Sequence, residues 1–258
     1  MKFFNLLGII FLFPLLSFSQ DLSVNVDKDN GILGSVYIKK GSTVFKVGHS
    51  SGSIEKVYVF QSADKAKYFM QNPQNSNFNF KAVQLAGGVQ LYVRDYSNIE
   101  YCKNYSNYSR AGIVGEVCGV DGVKIEYNLR IGNNSTIGIV GKLKSINGIN
   151  ISYHINYDSN VRAGYQGKIS AISDTKIVYY NKYTNSELAS YYGKFRSIGG
   201  VAIGYYDKTN STRGFEGKLQ NIGSYKFNYY ENYYNNQASK IVGKFKSITG
   251  KDSRVILL

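Results

Sequence analysis

The residues most able to do chemistry in this chain are its regularly spaced cations. Lys142, Lys168, Lys194, Lys218 and Lys244 each follow a glycine directly, at intervals of 26, 26, 24 and 26 residues. Lys144, Arg196 and Lys246 lie two residues further on, and Tyr180, Tyr206 and Tyr230 recur in the same frame. Cations at a fixed repeat, interleaved with aromatic rings, suit a linear polyanion, whose charges the amines neutralise while the rings stack. The overall balance agrees: 31 Lys+Arg against 17 Asp+Glu gives a formal charge of +14, and residues 99–258 alone hold 21 basic and 11 acidic side chains. The plainer reading is that these cations only keep a strand face soluble and its edges protected.

Other chemistry is sparse. Cys102 and Cys118 are the two cysteines. An exported chain favours a disulfide between them, yet an unsheared ladder sets Cys102 opposite Val114, so a bridge and two free thiols both stay open. The cysteines, with no histidine nearby, do not read as a zinc site. His49 and His154 are singletons without a Ser/Asp arrangement and read as surface residues. Asp27-Lys28-Asp29-Asn30-Gly31 has the flavour of a calcium loop but lacks the closing glutamate. No phosphate-binding glycine loop is present, and no cofactor or catalytic residue is assigned. An enzyme acting on glycans would require a pair of carboxylates ~5–10 Å apart.

The elements that must position these residues are repeats. Gly115, Gly141, Gly167, Gly193, Gly217 and Gly243 share their flanks, and Tyr127, Tyr153, Tyr179, Tyr205 and Tyr229 follow the first five at a constant offset of 12. Within a unit, Ile139–Lys144 and Ile149–His154 alternate apolar and polar residues on either side of Ile146-Asn147-Gly148. Period two around a turn predicts a β-hairpin. A two-residue Asn-Gly turn sets Leu143 opposite Ser152 and mixes the faces; a three-residue loop pairs Ser145 with Ile149 and Leu143 with Ile151. The latter register places Gly141 opposite Tyr153, so that a ring covers bare backbone, and likewise in the other units. The GK lysines then fall on the polar face, with Lys144, Arg196, Lys246, Lys124, Lys176 and Lys226. Polar loops such as Asp158-Ser-Asn, Thr184-Asn-Ser and Lys208-Thr-Asn-Ser-Thr join the hairpins.

This pattern predicts an all-β antiparallel meander of tandem hairpins, about 14 strands, with its apolar face buried by curling or by a sandwich. A closed barrel of that size is too wide to fill. An outer-membrane barrel is the distant alternative; its apolar band of about four residues spans roughly 13 Å against a required ~25 Å. The plan resembles exported bacterial tandem β-hairpin repeat proteins of the MORN and YD kinds, in Tyr205-Tyr206-Asp207-Lys208 followed by Arg213-Gly214 and Gly217-Lys218-Leu219. The resemblance covers residues 99–258. The period of 26 is longer than in those families, and the MORN tryptophan and glycine pattern is absent. The resemblance implies a binding or spacer role without catalysis, and it transfers no functional residue.

Ahead of the repeats, residues 20–97 form a β-rich segment, with strands over Gly34–Lys40, Thr43–Val47, Ile54–Phe60, Lys81–Leu85 and Val89–Val93. A short helix, Ala63–Met70, is capped by Ser62 and stopped by Asn72-Pro73. The segment reads as a cap on the end of the repeat sheet. Residues 1–19 read as a secretory signal peptide: Lys2, an apolar run Phe3–Leu16 interrupted by Pro14, and Ser17 and Ser19 at −3 and −1 of a cut before Gln20. The expectation is therefore an exported, non-catalytic protein, in the periplasm, on the cell surface or outside. It binds an anionic polysaccharide or envelope component through its Lys/Tyr face, with no specific nucleic-acid recognition and no membrane span after cleavage. The alternative is an envelope spacer or protein-interaction scaffold without a polyanion ligand.

Overall fold

The computed structural model describes residues 21–73, 78–104, 111–129, 137–155, 157–181, 191–208, 214–231 and 241–258. Residues 1–20, which hold the expected signal peptide, lie outside them, as do the loop residues around Thr184 and from Thr209 to Thr212. The first strands are β1 (Leu22–Asp27), β2 (Ile32–Lys40), β3 (Thr43–Gly48) and β4 (Ile54–Val59), followed by helix α1 (Ala63–Gln71), β5 (Lys81–Gln84) and β6 (Gln90–Val93). Then come β7 (Ile99–Tyr101), β8 (Val117–Val120), β9 (Val123–Tyr127), β10 (Leu143–Ile146), β11 (Ile149–Tyr153), β12 (Ile169–Ile172) and β13 (Thr175–Tyr179). The chain ends with β14 (Phe195–Ile198), β15 (Val201–Tyr205), β16 (Leu219–Ile222), β17 (Tyr225–Tyr229), β18 (Phe245–Thr249) and β19 (Val255–Leu257). Strands β7 to β18 form one twelve-stranded antiparallel meander in strict chain order. The Asp158-Ser-Asn loop carries a short helical turn, Asp158–Arg162.

The hairpin turns differ from the expected three-residue loops. Ile146 pairs with Ile149 and Ser145 with Asn150, so Asn147-Gly148 is a two-residue turn. Both residues have positive φ, +51° and +76°, as do Asp121-Gly122 and Gly199-Gly200, which is the turn whose twist matches paired strands. The face-mixing objection fails because each repeat carries a β-bulge. Tyr127 pairs with Leu143 but Glu126 pairs with Ser145, leaving Lys144 as the extra residue. The same step leaves out Cys118, Ser170, Arg196, Gln220 and Lys246. One extra residue shifts the period-two phase, so Leu143 returns to the apolar face with Ile146.

The glycine of each GK pair does not lie under the tyrosine of its hairpin. It sits third in a tight turn: Lys142 N–H donates to Ile139 O at 3.0 Å, with Gly141 at φ +77°. That position demands the left-handed region. The turn recurs around Gly115, Gly167, Gly193, Gly217 and Gly243.

The segment before the repeats covers the meander's face rather than its end. Strands β1 to β6 form a seven-stranded sheet joined by β19, in the order β19-β1-β2-β3-β4-β6-β5. Strand β19 runs parallel to β1, Leu22 beside Val255, so the last strand leaves the repeats for the other sheet. The main core lies between the sheets, with Val24, Leu33, Phe45, Val57 and Leu91 on one side and Ile125, Leu143, Ile169, Phe195 and Phe227 on the other. Helix α1 covers the far face of the smaller sheet, packing Ala66, Phe69 and Met70 on Tyr37, Val44 and Phe60. Its Ser62 Oγ accepts from Lys65 N–H at 3.3 Å, as a cap should. The result is a sandwich with a helical outer layer and no closed barrel among the described residues. The apolar face that a membrane barrel would turn outward is covered by the first sheet, which corrects the barrel alternative.

Turns of the smaller sheet also dock on the repeats. Gly31 O accepts from Leu219 N–H and Gly52 O from Ile169 N–H, each at 2.9 Å, beside the bulges at Gln220 and Ser170. The Asp27–Gly31 segment that looked like a calcium loop is a turn held by its own carboxylate. Asp27 accepts from the amides of Asp29 and Asn30 and from Asn30 Nδ2, and those bonds hold its pKa below the usual carboxylate range.

Candidate binding face

The GK turn, the bulge and the hairpin strand place the predicted cations in two different environments. Lys142, Lys168, Lys194 and Lys218 do not stand in an open row on the polar face. Each amine lies over the tyrosine of its own hairpin, at 5.6 Å from the Tyr153 ring centroid, 5.0 Å from Tyr179, 4.9 Å from Tyr205 and 5.4 Å from Tyr229. Each also donates to the GK-turn carbonyl of the next repeat: Lys142 to Gly167 O at 2.7 Å, Lys168 to Gly193 at 2.8 Å, Lys194 to Gly217 at 3.0 Å and Lys218 to Gly243 at 2.7 Å. These half-buried amines form a ladder that staples repeat to repeat. Burial pulls their pKa values below the ordinary lysine value. Lys244, at the end of the ladder, is exposed.

The bulges supply the outward set. An extra residue re-aims a side chain, and Lys144, Arg196 and Lys246 are bulge residues whose side chains are exposed. Each is joined by an exposed lysine on the preceding strand: Lys124 on β9, Lys176 on β13 and Lys226 on β17. The intervening repeats place Asn150 and Ala202 at the lysine position and Ser170 and Gln220 at the bulge. The outer face therefore carries three cation pairs, one every two repeats; in the first of them Lys124 is ion-paired with Glu126 at 2.6 Å. Four strands separate one pair from the next, a distance of ~19 Å at ~4.8 Å per strand. This alternation is visible in the sequence once the two lysine sets are read separately, but the fivefold GK signal hides it.

Tyrosines flank the bulge cations. Arg196 lies 6.0 Å from the Tyr180 ring centroid and Lys246 Nζ 5.7 Å from that of Tyr230. Tyr180 Oη donates to Ile203 O at 3.0 Å and Tyr206 Oη to Phe227 O at 2.8 Å, which locks both rings against the next hairpin. Tyr230 is 39% exposed. Between the two ends of each strand the outer face is floored by small or short polar residues, in the cross-strand pairs Ser152–Ala171, Val178–Ser197, Gly204–Asn221 and Asn228–Ser247. Near one edge the floor deepens into a hollow of about 200 Å³ lined by Tyr206, Asn228, Glu231, Lys246 and Ser247.

The remaining chemistry-bearing residues are structural. Cys102 and Cys118 form a disulfide with Cα atoms 5.1 Å apart. Cys102 N–H donates to Glu116 O, and the bulge at Cys118 brings the thiols together where an unbulged ladder would not. The histidines are half-buried rather than on the surface. His49 Nδ1 lies 3.1 Å from Gly34 O. His154 stands against the Tyr165 and Tyr179 rings, and its Nε2 is buried without a hydrogen-bond partner. Burial, then the Lys168 charge, holds its pKa below the ordinary histidine value. Among the described residues no three His, Cys, Asp or Glu side chains gather into a metal-binding group.

No protein family, curated protein or solved structure matches the chain, so the likeness to tandem hairpin repeat proteins rests on the repeat itself.

Proposed function

We propose that this is an exported, non-catalytic repeat protein that binds a linear anionic polymer, such as an acidic polysaccharide of the cell envelope, along the outer face of its meander. The observation that carries the reading is the set of three exposed cation pairs, Lys124/Lys144, Lys176/Arg196 and Lys226/Lys246, at a spacing of two repeats. They crown a floor of small apolar and short polar residues. Lys142, Lys168, Lys194 and Lys218 are withdrawn from the ligand set, since their amines are engaged within the fold. Tyr180, Tyr230 and Lys244 stay in it.

The purified protein is titrated with an acidic polysaccharide, a lipopolysaccharide and DNA across a salt series. Affinity is expected to fall steeply with salt, by the release of counterions from several neutralised charges. Changing the six paired cations to glutamine is expected to weaken binding by ~100-fold or more at ~0.1 M salt, taking ~0.5 kcal/mol for each of six exposed charge contacts. Absence of binding at low salt, or an unchanged affinity in the sixfold variant, overturns the reading. It then leaves an envelope spacer. The internal use of four of the five GK lysines favours that second reading, because it gives the most regular cation row a purely structural task.

A further inference from the structure

We infer that the chain has a second, separate binding site, for a small aromatic carboxylate, on the helix-covered side of the seven-stranded sheet. A hollow of about 290 Å³ opens there between the end of β4, helix α1 and the irregular segment Phe78 to Phe80 that leads into β5. Its apolar walls are Phe60, Phe78 and Phe80. The rings of Phe78 and Phe80 stand 5.2 Å and 5.3 Å from Phe60 at 77° and 80° to it, and 5.6 Å from each other at 32°. Tilted walls of this kind accept a flat ring edge-on or offset. The volume is at the lower end of what ligand pockets hold and suits one or two fused rings.

The rim sets the sign of the ligand. Lys65 Nζ and Arg94 Nη1 both donate to one neutral acceptor, Gln61 Oε1, at 2.7 Å and 3.0 Å. No carboxylate forms an ion pair with either cation among the described residues. Asp95, the neighbour of Arg94, is bound to Lys81. Two cations that converge on an amide oxygen hold the place where a carboxylate would bind better, with Arg94 offering its two-pronged fork and Lys65 a point charge. An aromatic acid inserted ring first would put its carboxylate at this rim.

The test uses 2-naphthoate, titrated into the whole protein by calorimetry, with 2-naphthalenemethanol as its neutral counterpart. One-site saturation is expected for the acid, with the alcohol, Arg94→Gln and Lys65→Gln each weakening binding ~10-fold or more, the loss of a charge-assisted contact. Arg94→Lys is expected to recover part of the affinity. The sixfold outer-face variant, which leaves this site intact, is expected to bind 2-naphthoate as the parent does, so failure of the polymer reading leaves the result here unaffected. Equal affinity for acid and alcohol, indifference to both rim variants, or loss of binding in the outer-face variant overturns the assignment.

Discussion

The inner and outer cations of the meander come from the same repeat and do opposite work. Lys194 lies in the turn just before β14 and Lys176 on the neighbouring β13, yet Lys194 is half-buried between the Tyr205 ring and Gly217 O, while Lys176 projects into water. The inner amine exchanges hydration for a carbonyl and a ring face, and among the described residues no carboxylate forms an ion pair with it. The outer amine keeps its hydration and leaves its charge available. A row of regularly spaced lysines is thus not evidence of a ligand by itself. What distinguishes the two sets is local backbone: the glycine turn draws Lys142, Lys168, Lys194 and Lys218 in, while the bulges at Lys144, Arg196 and Lys246 and the regular strand positions of Lys124, Lys176 and Lys226 turn their side chains out.

The largest break in this comparison comes from the turn. Gly243 has φ +77°, and a Cβ there would collide with Gly214 O, a backbone atom. Gly243→Ala is expected to cost about 3 kcal/mol, from left-handed strain plus the clash, and to uncouple the carbonyl that Lys218 holds. Chemical denaturation measures it. A change below about 1 kcal/mol would show that the turn relaxes freely.

Next in size is the exchange of one lysine from each set for methionine, which keeps the apolar stem. Lys194→Met is expected to lose about 2 kcal/mol of stability, for a charge-assisted hydrogen bond and a ring contact. Lys176→Met is expected to stay within about 0.5 kcal/mol. Equal effects in a paired denaturation experiment would erase the distinction between the two sets.

The smallest effect is a pH dependence. His154 is half-buried near the Lys168 charge, and its loss of hydration, then that charge, hold its pKa in the folded chain below the 6.5 of an unfolded histidine. The unfolded state then binds more protons near pH 6, so stability rises with pH and is lost as pH falls through about 6.5 and below. His49 is shifted in the same direction. Asn128 occupies the position equivalent to His154 in another repeat. His154→Asn is expected to flatten part of the slope between pH 7.5 and 5, leaving the share of His49, with thermal unfolding as the readout. An unchanged slope would place the titration elsewhere.

Much of the architecture was legible before any coordinates. The repeat, the period-two strands, the polar linkers and the capped helix follow from local pattern, because alternation and turn chemistry act over a few residues. The register was not legible. It depends on a bulge at Lys144 and its equivalents, and nothing in the residue types there distinguishes a bulge from an ordinary strand position: Lys, Ser, Arg, Gln and Cys all occupy it. One unrecognised residue per repeat turned the hairpin loop, the position of Gly141 and the face of Lys142 wrong together. The same error left the Cys102–Cys118 bridge undecided.

The sequence by itself determined that this chain is a tandem array of β-hairpins with a basic, tyrosine-rich composition, since these properties are set by order and spacing along one strand of text. Only the tertiary structure decided that strands β1 to β6 lie across the repeats instead of at their end. It also recruited the last strand to the other sheet and drew four of the five GK lysines half inside the fold. Those outcomes depend on which apolar surface finds which partner, and on which carbonyls the next repeat presents. Both are contacts between residues about 25 to more than 200 positions apart, and no local pattern encodes them.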